Sequence, residues 1–228
     1  MDTIETDVLV VGGGVVGLAL LREISKDKQC ILIEKNHSLI EETSSRNSGV
    51  IHSGIYYPKD SYKSKFCIQG KNLLYEFCKK YDVSHKRIGK LIIGNKDNIQ
   101  KFSSLVENAR EMEIAHEVLT KKLIASKLPF LEGQEFLDIK DSGVIDVHEF
   151  SSKLALLCEN NGAYISLKSL LINVSQCSDT FYESEINTNG EYFKIKSIQR
   201  SFNKNSYNIH KLLIACHVRL NYYLYLIK

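Results

Sequence analysis

Apolar residues recur along this chain in two rhythms, one suited to buried strands and one to amphipathic helices. Residues 6–11, Thr-Asp-Val-Leu-Val-Val, form a short apolar run without polar alternation. Such a run suits a strand buried on both faces of a parallel sheet. Leu18, Ala19, Leu21 and Ile24 follow at helical spacing, and Cys30-Ile31-Leu32-Ile33 makes a second buried strand closed by Glu34. The pattern lapses over 35–57, a long loop rich in Ser, Asn and Gly, and long loops inside compact domains are usually functional. A helix is expected over 59–81, with Phe66, Leu73, Leu74 and Phe77 on its apolar side, then a strand over 90–94. Ile99, Phe102, Leu105, Val106 and Ala109 predict an amphipathic helix over 97–113, capped by Asn95 or Asp97. A short helix over 120–127 stops before Pro129. Residues 142–146 read as a strand and turn, with Asp146 capping a helix over 147–160 in preference to serving as a catalytic acid. A further parallel strand is expected at 162–167, then a three-stranded meander at 170–175, 180–186 and 191–199 with its turn at 187–190. A last buried strand falls at 212–215.

Between the first strand and the first helix stands Gly12-Gly13-Gly14-Val15-Val16-Gly17. Three glycines in this spacing occur by chance in loops, but here a strand precedes them, a helix follows, and an acid closes the second strand about 20 residues on. In that setting Gly12 allows the tight turn, Gly14 leaves bare backbone for a pyrophosphate, and Gly17 lets the helix lie close on the strand. The helix N-terminus aims free N–H groups and a positive dipole end at the phosphates. Glu34 can accept hydrogen bonds from a ribose diol and would repel a 2′-phosphate, so the residues predict FAD or NAD and exclude NADP.

Composition narrows the picture further. A net charge of +3 over 228 residues, spread along the chain, does not point to nucleic acid, and 43% apolar residues is enough for a real core. Lys63, Lys65, Lys71, Lys79 and Lys80 read as the solvated face of the 59–81 helix, with an anionic membrane surface as the sharper alternative. Six cysteines show neither CxxC nor metal spacing, which suits reduced side chains and a cytoplasmic protein. Met1, Asp2 and Glu5 lead directly into the first strand, leaving no room for a targeting peptide. No run of 18 apolar residues is present to span a membrane.

The fingerprint, Glu34 and above all Ser45-Arg46-Asn47-Ser48-Gly49-Val50-Ile51-His52-Ser53-Gly54-Ile55-Tyr56-Tyr57 resemble the FAD-dependent oxidoreductases of the D-amino acid oxidase superfamily. Within it the similarity is to the L-2-hydroxyglutarate dehydrogenase or oxidase branch. The resemblance implies an α/β fold, with a Rossmann-like FAD-binding domain (parallel sheet with β-meander) plus part of an α+β substrate domain. It implies a discontinuous FAD-binding domain at 1–88 and 142–216, a partial substrate or cap domain at 89–141, and an unmatched tail at 217–228. FAD is then the cofactor, held by Gly12, Gly14, Gly17, Glu34, Lys35, Ser45, Arg46, Asn47 and Ser48, with His52 beside the isoalloxazine ring. The match covers residues 4–215. Cys216-His217-Val218-Arg219 stands where the family has glycine, so a truncated or frame-shifted product is expected, with 221–228 read out of frame.

The chemistry implied is oxidation of a small 2-hydroxy acid, L-2-hydroxyglutarate, to 2-oxoglutarate, with electrons passed to a quinone or another acceptor. It places the protein in the cytoplasm or peripherally on the inner face of a membrane. Such a reaction needs a base for the hydroxyl proton, and His52 is the candidate inside the loop. A structural hydrogen bond to the flavin is the competing role for that histidine. Tyr56 and Tyr57 could wall the substrate pocket; no carboxylate-binding residue is assigned. Glycerol 3-phosphate or an amino acid as substrate, or a catalytically inert FAD-binding remnant, are the alternatives.

Overall fold

The computed structural model describes residues 2–125, 128–132, 135–178 and 181–198. The strand expected at 212–215 and the departure at 216–219 lie outside these residues. In chain order the elements begin with β1 (Thr3–Thr6), β2 (Val8–Val11), α1 (Val15–Ile24), β3 (Cys30–Ile33), β4 (Val50–Ile51) and α2 (Tyr62–Tyr81). Next come β5 (His85–Lys86), β6 (Lys90–Gly94), α3 (Ile99–Glu111), β7 (His116–Thr120), α4 (Lys121–Ile124) and β8 (Glu135–Ile139). The series closes with β9 (Gly143–Ile145), α5 (Val147–Asn160), β10 (Tyr164–Ser166), β11 (Ser169–Ser178), β12 (Phe181–Thr188) and β13 (Glu191–Ile198). They form two compact units, one built from the chain up to Arg46 and from Ser151 onward, the other from Asn47–Phe150.

The first unit holds the parallel sheet that the fully buried Cys-Ile-Leu-Ile run predicts. Strands β10 and β2 flank β3, both parallel to it. Alternation sends Leu9, Ile31 and Ile33 to one face, where they pack with Ile186 and Ile195 of the meander. Val10 and Leu32 point the other way, toward the side on which α1 buries Leu18 and Leu21. Cys158 of α5 reaches the Leu18 carbonyl at 3.5 Å, which ties the two helices together. Burial pushes the Cys30 and Cys158 thiols up to about 11, so they are inert filler. The meander is antiparallel through β11, β12 and β13, and β1 adds to β13 in parallel. Asn189 and Gly190 both have positive φ, 53° and 92°, which is the two-residue hairpin turn that matches strand twist.

The second unit packs α3 on an antiparallel sheet ordered β6-β8-β7. Phe102, Leu105 and Ala109 of α3 bury against Leu137 and Ile139, with Ile55 and Ile114 completing the core. Strands β5, β7 and β8 were not expected from sequence, nor was β4, which falls inside the expected loop over 35–57. The predicted cap of α3 is also displaced: Asn98 stands at the N-cap, and Asn95 accepts from the Asp97 and Asn98 N–H groups instead. Asp146 does cap α5, accepting from the Glu149 N–H at 2.9 Å.

Helix α2 exposes Lys63, Lys65, Lys79 and Lys80 as expected but corrects the reading of Lys71. Its inward stripe runs through Ser64, Lys71, Tyr75 and Cys78, so Lys71 lies at the centre of the buried side and pairs with Asp141. Phe66 and Leu73, assigned to the apolar side, are exposed at 53% and 64%. No helix among the described residues is long and apolar enough to cross a membrane.

Replacing Asp146 with Ala should destabilise the protein by about 1 kcal/mol in a denaturant titration, while Asp146→Asn should cost far less. Equal losses from the two would remove the cap as the cause.

Candidate functional site

Two groups of residues carry candidate chemistry, one in each unit. In the first unit the turn from β2 to α1 is set by backbone geometry. Gly12 has φ +104°, closed to most L side chains, and its N–H donates to the Ile33 carbonyl at 2.8 Å. A Cβ on residue 17 would collide with the Gly12 carbonyl oxygen, so only glycine lets α1 approach this closely. Gly14 differs: a Cβ there would meet only the Ser44 hydroxyl, at 3.1 Å. The protein interior therefore has little need of glycine at 14, whereas a ligand lying on that backbone would need it.

Glu34 is 8% exposed and held from every side. Its N–H donates to the Ser166 carbonyl and its own carbonyl accepts from the Ser169 N–H. One carboxylate oxygen accepts from the Gly13 N–H at 2.7 Å, the other from the Asn36 N–H at 2.9 Å. Each oxygen keeps acceptor capacity beyond these bonds, as a ribose diol would require. Ser44, absent from the set expected by sequence, accepts from the Val15 N–H at 3.2 Å and so stands over the start of α1. The expected residues nearby are placed less centrally: Lys35 pairs with Glu42 at 2.7 Å, Ser45 donates to the Glu42 carbonyl, and Arg46 is exposed. The bare turn, the start of α1 with only its Val15 amide taken by Ser44, and the anchored acid fit the adenosine diphosphate of a dinucleotide.

In the second unit Asn47 accepts from the Gly49 N–H and Ser48 is exposed. His52, Ser53, Gly54, Tyr56, Tyr57, Lys90 and Ser142 line one open pocket. His52 follows directly on β4, and the Lys90 ammonium lies 4.5 Å from the centre of the Tyr56 ring. The lining contains no carboxylate. The His52 imidazole is held below its ordinary value of 6.5, first by desolvation and then by the Lys90 charge. It is accordingly neutral, and able to accept a proton, at pH 7. Neither Lys90 nor Ser142 was singled out from sequence as a site residue. Their meeting spans 52 residues, and no local pattern announces it.

A mononucleotide-binding turn on a parallel sheet with an appended meander, together with a histidine pocket, is the architecture of a flavin oxidoreductase. The chain belongs to the DAO family of FAD dependent oxidoreductases, whose family model matches residues 7–190. It is 38% identical over 151 residues to the mitochondrial L-2-hydroxyglutarate dehydrogenase of Arabidopsis thaliana, covering 65% of this chain and 31% of that protein. Against the Homo sapiens protein of the same description identity is 34%, covering 68% of this chain and 34% of that protein. The chain thus spans about a third of the length of these relatives. The word mitochondrial in their names lends no support to the cytoplasmic placement expected from the cysteines. Among solved structures it resembles the FAD-bound L-alpha-glycerophosphate oxidase of Mycoplasma pneumoniae, at TM-score 0.77 and 31% identity over 86% of this chain and 53% of that one. Glycine oxidase from Geobacillus kaustophilus shares the fold at TM-score 0.73 and 18% identity, over 84% and 53% of the two chains.

Gly14→Val should leave the far-ultraviolet circular dichroism unchanged and abolish FAD retention, whereas Gly17→Ala should lower thermal stability with or without cofactor. Wild-type flavin stoichiometry in Gly14→Val would displace the phosphates from this turn. The His52 ring should titrate below 6.5 by NMR, and Lys90→Gln should move its midpoint upward. An unmoved midpoint would separate the two residues.

Proposed function

We propose that this chain carries the nucleotide-binding and histidine-bearing portions of a flavin enzyme that oxidises L-2-hydroxyglutarate to 2-oxoglutarate, with a quinone or another acceptor taking the electrons. The observation that carries the substrate is the 38% and 34% identity to proteins of that activity. On this reading Gly12, Gly14, Gly17 and the α1 amides receive the diphosphate, Glu34 the ribose hydroxyls, and residues 44–48 the rest of the FAD. When bound, FAD supplies the two-electron acceptor for the hydride leaving the substrate Cα.

His52 accepts the hydroxyl proton on a ring nitrogen as the carbonyl forms, so one hydride and one proton leave the alcohol together. Desolvation and Lys90 keep that nitrogen unprotonated at neutral pH. The sign follows: catalysis falls as pH drops through the lowered imidazole value and is full above it. Tyr56 and Tyr57 form apolar walls that orient the carbon chain. A second reading, glycerol 3-phosphate as substrate, is favoured by the 31% identity and fold match to the glycerophosphate oxidase.

The test is anaerobic mixing of the FAD-loaded protein with each alcohol. L-2-hydroxyglutarate should bleach the flavin absorbance, and His52→Gln should slow bleaching by about 10²–10⁴-fold. Bleaching by glycerol 3-phosphate alone would replace the substrate, and a yellow protein that no alcohol bleaches would identify an inert FAD-binding piece.

A further inference from the structure

Ser142 is 2% exposed, lines the His52 pocket, and its hydroxyl has no hydrogen-bond partner among the described residues. A buried hydroxyl left unbonded is costly, so its persistence at a pocket wall points to a ligand atom that completes it. Its placement is enforced from behind. Lys71, buried in α2, pairs with the neighbouring Asp141, and the Tyr75 hydroxyl donates to the Asp141 carbonyl at 3.2 Å. In front, the Gly89 N–H donates to the Ser142 carbonyl at 2.9 Å. That bond fixes the start of β6, and with it Lys90, beside Ser142. Lys90 forms no ion pair among the described residues; the residue is half-buried and its ammonium lies over the Tyr56 ring. The pocket therefore offers one cation, a wall residue whose buried hydroxyl is unmet, and no carboxylate among its lining residues. The neighbouring Asp141 Oδ1 is likewise buried and unmet, but Asp141 is held by Lys71 and is not part of the lining.

We propose that Lys90 and Ser142 form an oxyanion seat that takes the acid group of the substrate while His52 meets its hydroxyl. That the anion belongs to a substrate rests on the proposed oxidoreductase function; the seat itself rests on the pocket geometry. A carboxylate and a phosphate monoester share the chemistry the seat requires, namely two or more negative oxygens able to accept from an ammonium and a hydroxyl at once. Lys90 supplies the charge, and Ser142 fixes which oxygen faces the wall.

The test is calorimetric titration of the full chain with 2-oxoglutarate and, separately, with glycerol 3-phosphate. Lys90→Gln should weaken binding of the accepted anion at least about tenfold, Lys90→Arg should restore part of it, and Ser142→Ala should weaken it about threefold to tenfold. Lys90→Arg also guards against misfolding, since it keeps the charge and the stem. Dissociation constants unchanged in Lys90→Gln and Ser142→Ala would overturn the seat, as would a wild-type chain that binds neither anion. Lys90-dependent binding of glycerol 3-phosphate without flavin bleaching by L-2-hydroxyglutarate would support the seat and overturn the substrate. Bleaching by L-2-hydroxyglutarate with Lys90-independent binding would do the reverse.

Discussion

The approach of α1 to the end of β2 is the constraint from which the first unit follows. Because the Gly12 carbonyl occupies the space of a residue-17 side chain, the helix can rest directly on the sheet. Its first-turn amides then open at the strand exit, and the fingerprint turn brings the Gly13 N–H onto Glu34. Glu34 in turn is clamped between the end of β10 and the start of β11 by its own backbone. A cradle of this kind is rigid before any ligand arrives, so less ordering entropy opposes binding.

The second unit solves a different problem, which is keeping an imidazole neutral and a cation close to it. Lys90 on β6 and His52 after β4 belong to separate sheets, and the Gly89–Ser142 bond joins the β6 edge to the turn that enters β9. Buried charge is used sparingly: Lys71 pairs with one oxygen of Asp141 at that turn, and the other oxygen, Oδ1, is buried without a partner among the described residues. Leaving one half of such a pair alone is far more costly than the pair is stabilising. The unpaired Lys90, by contrast, sits where water still reaches it.

What the sequence made legible was local. Strand, glycines, helix and acid occur within residues 6–34, and each is decided by its neighbours, as is the Asn189-Gly190 hairpin turn. Strands β5 and β7 were hidden because their pairing partners lie elsewhere along the chain and they open on polar residues, His85-Lys86 and His116-Glu117. Strand β8 is a five-residue strand carrying the buried Phe136, Leu137 and Ile139, too short a run to declare itself before its neighbours β6 and β7 are known. Lys71 was misassigned because a lysine on a helix looks solvated until its distant carboxylate is known. At the glycine turn Ser44, one residue before the Ser45 expected, meets the α1 amide, since the turn at 42–45 sends the Ser45 hydroxyl to Glu42 instead. Lys90 and Ser142 required the fold to bring them together.

The central claim is that the glycine turn and Glu34 hold the adenosine diphosphate of FAD. Its most direct test is an equilibrium titration of the purified full chain with FAD, followed by the flavin absorbance bands, with ADP as competitor. The account predicts saturation at one FAD per chain and displacement of the flavin by ADP. A folded chain that leaves the spectrum of free FAD unchanged at every ratio would contradict it.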